Sequence, residues 1–251
     1  MPHDIEVALV APRYLAGPGD PSWITVPLHR ACGWSAAEDP LMPRVILTSP
    51  DQQATLRIDP DPDEPWWTVR HARSSDQPAW STTFDARTPV EIIAAFTDAL
   101  TDRTPPASSP HPYDLLGQAG WHDAGEGLVS PDGITAVEHY GNDGPWFAEA
   151  RLSEDDSGLL WRAYLSNTTP PRLVAAFAQA LADPTPVRRN PHRIPARTRE
   201  HTHTRTVHVS VGDVAFALER RVADLSARRR DTASTTPAAR PPRVPKQRRA
   251  R

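Results

Sequence analysis

The sequence has one cysteine, Cys32, and one lysine, Lys246. A lone cysteine excludes an internal disulfide and any cysteine-based zinc site. There is no Gly-rich phosphate loop, no HExxH helix and no nucleophile elbow, which removes the readable signatures of nucleotide, zinc-protease and serine-hydrolase chemistry. No run approaches the ~18 apolar residues that a membrane span needs. The opening Met1-Pro2-His3-Asp4 lacks a basic n-region, and the apolar run at 7–11 is shorter than a signal core. The expectation is a cytoplasmic protein with no cofactor, no metal and no membrane contact.

What is present is proline, 29 residues of it, and a strong division of charge. The net charge of −3 hides an acidic body and a basic end. Residues 1–183 carry 11 Lys+Arg against 26 Asp+Glu, a net of −15, and residues 184–251 carry 17 against 5, a net of +12. The two parts should attract each other or compete for partners. At 251 residues the chain has room for one large domain or two small ones.

An internal repeat decides between these. Ser49-Pro50-Asp51 returns as Ser130-Pro131-Asp132, an offset of 81 that also carries Trp80 onto Trp161, Phe96 onto Phe177 and Leu100 onto Leu181. Upstream, residues 28–34 match 115–121 at an offset of 87, because the first copy holds six more residues around Asp39-Pro40-Leu41-Met42-Pro43. Extended runs are expected at 5–10, 23–26, 45–48, 54–58, 66–71 and 79–84, then at 128–129, 135–139, 146–151 and 159–165, separated by Pro, Asp, Ser and Gly clusters. Residues 28–34 and 115–121 read as short helical turns.

Thr88-Pro89-Val90-Glu91 predicts a helix start: Thr88 at the N-cap, Pro89 at the first helical position and Glu91 completing a capping box. Ile92, Ile93, Phe96, Ala99 and Leu100 form one apolar stripe, with Glu91, Asp98 and Asp102 opposite. Thr169-Pro170 opens the second such helix, with Leu173, Val174, Phe177 and Leu181 buried and Arg172 in the place of Glu91. The fold class is therefore α+β: two similar units, each an antiparallel four-stranded meander packed by a C-terminal helix, plus a basic, partly disordered tail. The units span 5–103 and 113–189, joined by a Pro-rich linker at 104–112. The tail, 190–251, holds a weak strand at 202–211 and an amphipathic helix at 212–229, and from Asp231 its composition argues disorder.

The stretches Pro12-Arg13-Tyr14-Leu15-Ala16-Gly17, Leu47-Thr48-Ser49-Pro50-Asp51 and Thr88-Pro89-Val90-Glu91-Ile92-Ile93-Ala94-Ala95-Phe96 resemble an actinobacterial family, the domain of unknown function 317. So do Gly127-Leu128-Val129-Ser130-Pro131-Asp132-Gly133 and Leu160-Trp161-Arg162-Ala163-Tyr164 of the second copy. The resemblance covers roughly residues 5–189 and implies a tandem-domain protein; it carries no activity with it.

Two aspartates at equivalent positions, Asp51 and Asp132, could share a proton as an acid–base pair, or each could close a turn. The turn is the stronger reading. Trp34, Trp80, Trp121 and Trp161 are expected in the core. Trp66, Trp67 and Trp146 are the candidate contact aromatics, since one of the adjacent pair Trp66/Trp67 must face away from the core, and Asp51 and Asp132 join them as candidate ligand or partner contacts. His201 and His203 lack a third metal ligand nearby. Arg228, Arg229, Arg230, Lys246, Arg248, Arg249 and Arg251 are candidate nucleic-acid contacts through phosphate neutralisation. The function expected from sequence is a non-enzymatic binding or adaptor module whose acidic body meets a protein. The alternative is a DNA-associated accessory protein that uses the Arg-rich tail.

Overall fold

The computed structural model describes residues 4–38, 44–61, 65–102, 108–141 and 143–234. Strand β1 (Asp4–Ala11) is followed by α1 (Ser22–Arg30), the meander β2 (Ser35–Glu38), β3 (Val45–Thr48), β4 (Ala54–Ile58), β5 (Trp67–His71) and β6 (Trp80–Phe84), and then α2 (Val90–Thr101). The second copy repeats the order with α3 (Pro112–Gln118), β7 (His122–Asp123), β8 (Gly127–Val129), β9 (Thr135–His139), β10 (Trp146–Arg151), β11 (Leu159–Leu165) and α4 (Pro171–Ala182). Each unit is thus a meander of five strands where four were expected. The added strands, β2 and β7, left little trace in sequence: Ser35-Ala36-Ala37-Glu38 has no bulky alternation, and β7 is two residues long.

The two meanders join. β6 pairs antiparallel with β11, Phe84 opposite Ala163 and Thr82 opposite Leu165, giving one ten-stranded sheet in the order β2-β3-β4-β5-β6-β11-β10-β9-β8-β7. Helix α2 packs on α1 and on α4, and α4 packs on α3, so four helices cover one face. The stripe residues Ile92, Ile93 and Phe96 are fully buried, as are Leu173 and, within 2 %, Phe177. Phe84 stands at the seam with its ring 5.7 Å from Phe96 and 6.0 Å from Phe177, so a single hydrophobic core runs through both copies.

The register corrects the repeat alignment. His71 faces Trp80 across β5–β6 while Ala150 faces Trp161 across β10–β11, and Trp67 stands to Ile58 as Trp146 does to His139. The offset is therefore 79 on this strand pair and 81 on the next, and Trp67, not Trp66, is the counterpart of Trp146.

Residues 23–26 lie in helix α1, not in a strand. Asp20 accepts the Ser22 N–H at its entry, and Ile24 and Leu28, spaced by four, turn one face to the core. Pro27 lacks the N–H that Trp23 O would have accepted, and Arg221 Nε fills that place at 2.8 Å. Neither threonine caps its helix. Thr88 Oγ1 is buried with no partner among the described residues, because the free Val90 N–H goes to Pro18 O at 2.8 Å. Thr169 Oγ1 instead lies 3.2 Å from Ser166 Oγ.

Beyond the repeats the chain returns to its beginning. β12 (Val187–Arg189) and β13 (His203–Ser210) flank β1, both antiparallel, in a second sheet of three strands. His201 closes a 3-10 turn (Ala196–His201), so it does not share a strand face with His203. Helix α5 (Val211–Ser234) packs on α1, where Glu219 pairs with Arg30 and Arg221 lies over Trp23; it buries Val222 and Leu225 and runs past residue 231 where disorder was expected. Residues 103–107 of the linker and 235–251 of the tail lie outside the described residues.

Candidate functional site

Both Ser-Pro-Asp segments are turns with the same wiring. Asp51 Oδ1 accepts from Ser49 Oγ (2.6 Å) and Gln53 N–H (3.1 Å), and Ser49 Oγ accepts from Ala54 N–H (2.9 Å). Asp132 Oδ1 accepts from Ser130 Oγ (2.5 Å) and Ile134 N–H (3.1 Å), with Thr135 N–H on Ser130 Oγ (2.9 Å). The Ser49 hydroxyl, helped by the Gln53 N–H, holds the Asp51 carboxyl below the usual range. The acid–base pair is not formed. Five strand spacings separate β4 from β9, roughly 24 Å, and the antiparallel β6–β11 seam places the two turns at opposite ends of the sheet.

Each turn borders a cleft, and the two clefts differ. In the second copy the cleft is filled by the chain's own 3-10 turn Arg13–Leu15. Tyr14 sets its ring edge-on to Trp121 at 5.8 Å and donates its hydroxyl to Asp132 Oδ2 at 3.1 Å. Trp161 Nε1 donates to Tyr14 O at 2.8 Å, and Arg13 pairs with Asp183 at 2.6 Å. Burial, reinforced by the Asp132 charge, pushes the Tyr14 phenol well up.

In the first copy the equivalent cleft is a cavity of about 370 Å³ whose walls include Trp34, Asp51, His71, Asp102, Arg172 and Arg229. Asp51 Oδ2 accepts no hydrogen bond among the described residues, unlike Asp132 Oδ2. Trp80 Nε1, the counterpart of Trp161 Nε1, is buried without a partner among them. His71 takes the place of Ala150 and stacks on Trp80 at 5.6 Å. Cys32 lies in the same wall; burial pushes its thiol up, which disfavours the thiolate.

The face of the ten-stranded sheet opposite the helices carries what the core-facing positions do not. Tyr140, Phe147 and Tyr164 form a chain of edge-on contacts at 5.1 and 5.2 Å, with Tyr140 54 % and Phe147 38 % exposed. By strand register the first copy has Thr68 and Thr83 where the second has Phe147 and Tyr164, and Arg57 and Arg70 where it has Glu138 and Glu149. The core-facing tryptophans are kept between copies while this face has changed its chemistry.

Of the three candidate contact tryptophans, Trp67 (1 % exposed) and Trp146 (9 %) belong to the core, the latter stacked on His139 at 4.2 Å. They face the helices because β5 and β10 put every second residue there, and Trp66, half-buried, packs against the core margin. The exposed aromatics are those one step out of phase. Period-2 alternation from Trp146 to Phe147 and from Ala163 to Tyr164 was the available signal. On α5, Arg229 Nη1 donates to Thr101 O at 2.9 Å, so it serves helix packing. Arg228 and Arg230 also take part in hydrogen-bond or electrostatic interactions within the chain. Lys246, Arg248, Arg249 and Arg251 lie outside the described residues. Among the described residues no helix is long and apolar enough to cross a membrane, and no cluster of three metal-ligating side chains occurs.

Two stretches of the chain, residues 48–106 and 129–187, match the family model described as SPDY, domain of unknown function (DUF317). No curated protein and no solved structure matches the chain.

Proposed function

From a chain that carries the DUF317 domain twice in tandem, we propose a non-enzymatic protein-binding module that meets its partner on the open face of the ten-stranded sheet. The observation that carries this is the Tyr140–Phe147–Tyr164 cluster, with Tyr140 and Phe147 exposed on the strand face that no helix among the described residues covers. Aromatic side chains supply large contact area at low conformational cost and are enriched in interface hot spots. Arg70 in the first half and Glu138 in the second place opposite charges at separate points of this face, which would favour one orientation of a partner of complementary pattern. Tyr140 and Phe147 are exposed, so replacing them is expected to leave the sheet folded.

The test compares the full chain with Tyr140→Ser/Phe147→Ser by quantitative crosslinking in the native host. The proposal expects a defined set of crosslinked proteins that the double variant loses while its melting temperature stays within a few degrees. An unchanged set refutes it. DNA binding by the full chain that falls steeply with salt, and that disappears on removal of residues 235–251, would favour the accessory-protein reading instead.

A further inference from the structure

We propose that the cleft of the first repeat is a second recognition site, for a tyrosine presented on a peptide of another protein. It is independent of the open sheet face. The second repeat supplies the template, because its cleft holds such a segment in cis. There the tyrosine ring lies against Trp121, its hydroxyl reaches Asp132 Oδ2 and its main-chain carbonyl accepts from Trp161 Nε1.

The first repeat keeps all three recognition elements, and among the described residues no tyrosine enters its cleft as Tyr14 enters the second. Trp34 stands where Trp121 does, Asp51 where Asp132 does and Trp80 where Trp161 does. Asp51 has one carboxylate oxygen without a hydrogen-bond donor among the described residues. Trp80 is 4 % exposed, and its indole N–H has no acceptor among them. A buried donor left unpaired is costly, and a ligand carbonyl relieves that cost. The cavity of about 370 Å³ has room for an aromatic side chain, and a neighbouring cavity of about 440 Å³ reaches Trp80 itself, with His71 in the wall of both.

The tyrosine, more than the preceding arginine, is the missing part. In the second repeat Arg13 answers Asp183. In the first, Asp102 already has the Arg172 guanidinium near it, and Arg229 reaches the same cleft from α5. His71 marks the other departure from the template. It stacks on the face of Trp80 in the place of Ala150, so its ring narrows the approach to Trp80 that the second repeat leaves open.

The probe is the heptapeptide Ala-Pro-Arg-Tyr-Leu-Ala-Gly, which copies residues 11–17. It is titrated into the full chain while the Trp80 indole N–H is followed by nitrogen–proton NMR, with the signal assigned through Trp80→Phe. Binding should move the Trp80 signal, and replacing the peptide's tyrosine by phenylalanine should weaken it about tenfold by removing a hydrogen bond to a carboxylate. Asp51→Asn should weaken it similarly, and His71→Ala should strengthen it. Because the phenylalanine peptide leaves the protein untouched, a folding defect in Asp51→Asn cannot mask the result. Tyr140→Ser/Phe147→Ser should bind the peptide normally, which separates this site from the sheet face. An unmoved Trp80 signal at millimolar peptide, or equal binding of the tyrosine and phenylalanine peptides, overturns the proposal. So does a shift of the free protein's Trp80 signal on removing residues 235–251, since the occupant would then be the chain's own C-terminus.

Discussion

Arg189 offers the sharpest test of how the two sheets are tied together. Its guanidinium is 5 % exposed and forms a two-pronged pair with Glu91, 2.7 Å on each arm. It also donates to Ala16 O at 3.1 Å and Gly17 O at 2.9 Å. One side chain thus fastens β12 of the small sheet to helix α2 and to the loop after β1. Arg189→Met keeps the aliphatic stem but strands the Glu91 carboxylate and three carbonyls, those of Ala16, Gly17 and Arg188. Removing one member of a buried, hydrogen-bonded pair costs about 3–5 kcal/mol. At 2–4 °C per kcal/mol for a domain of this size, the melting temperature should fall by roughly 6–20 °C. Arg189→Lys should lie between, since an ammonium cannot fork across two oxygens. The double variant Arg189→Met/Glu91→Met should be more stable than Arg189→Met alone, with a coupling of about 1–3 kcal/mol. Urea denaturation followed by circular dichroism measures all three. A loss below about 1 kcal/mol for Arg189→Met, or strict additivity in the double variant, refutes the reasoning.

Other consequences are equally direct. Trp67→Ala and Trp146→Ala should each cost about 3–5 kcal/mol in the same assay, and Trp66→Ala distinctly less, since only the first two are core residues. Because the Tyr14 phenol is raised in the fold, its contribution is intact below the unfolded tyrosine value of about 10 and is lost as pH rises above it. Stability measured from pH 8 to 11 should therefore fall less steeply in Tyr14→Phe. Burial raises the Asp85 carboxyl, so its ionised form is penalised as pH rises through the folded value. Asp85→Asn should match or exceed the wild-type stability at pH 7, and the difference should close below about pH 4, near the unfolded aspartate value. A less stable Asn variant at neutral pH would show that the ionised Asp85–Arg162 contact outweighs the burial.

The candidate sites show which parts of this could be read from residues alone. The Ser-Pro-Asp wiring was legible because all its hydrogen bonds run between residues at most five apart. The exposed aromatics were half-legible. The alternation was there, but a strand of known period still has two faces, and only packing says which one the helices cover. The occupied cleft was not legible, since Tyr14 and Asp132 are 118 residues apart and no local rule links them.

Taken alone, the sequence determined the duplication, eight of the ten strands of the main sheet, strands β1 and β13 of the small one and helices α2, α4 and α5, because period-2 and period-3.6 burial and turn chemistry are local. It also determined the core role of Trp34, Trp80, Trp121 and Trp161, each now at most 5 % exposed. Tertiary structure decided the rest. Glu91 left its expected capping box for Arg189, since the Thr88 N–H it would have taken goes to Asp85 O and a buried guanidinium 98 residues away is the stronger partner. Residues 23–26 became helix because Ile24 had to face a core assembled from both copies. The two clefts, alike in sequence, became different because the N-terminal turn, held by β1 between β12 and β13, can lie in only one of them.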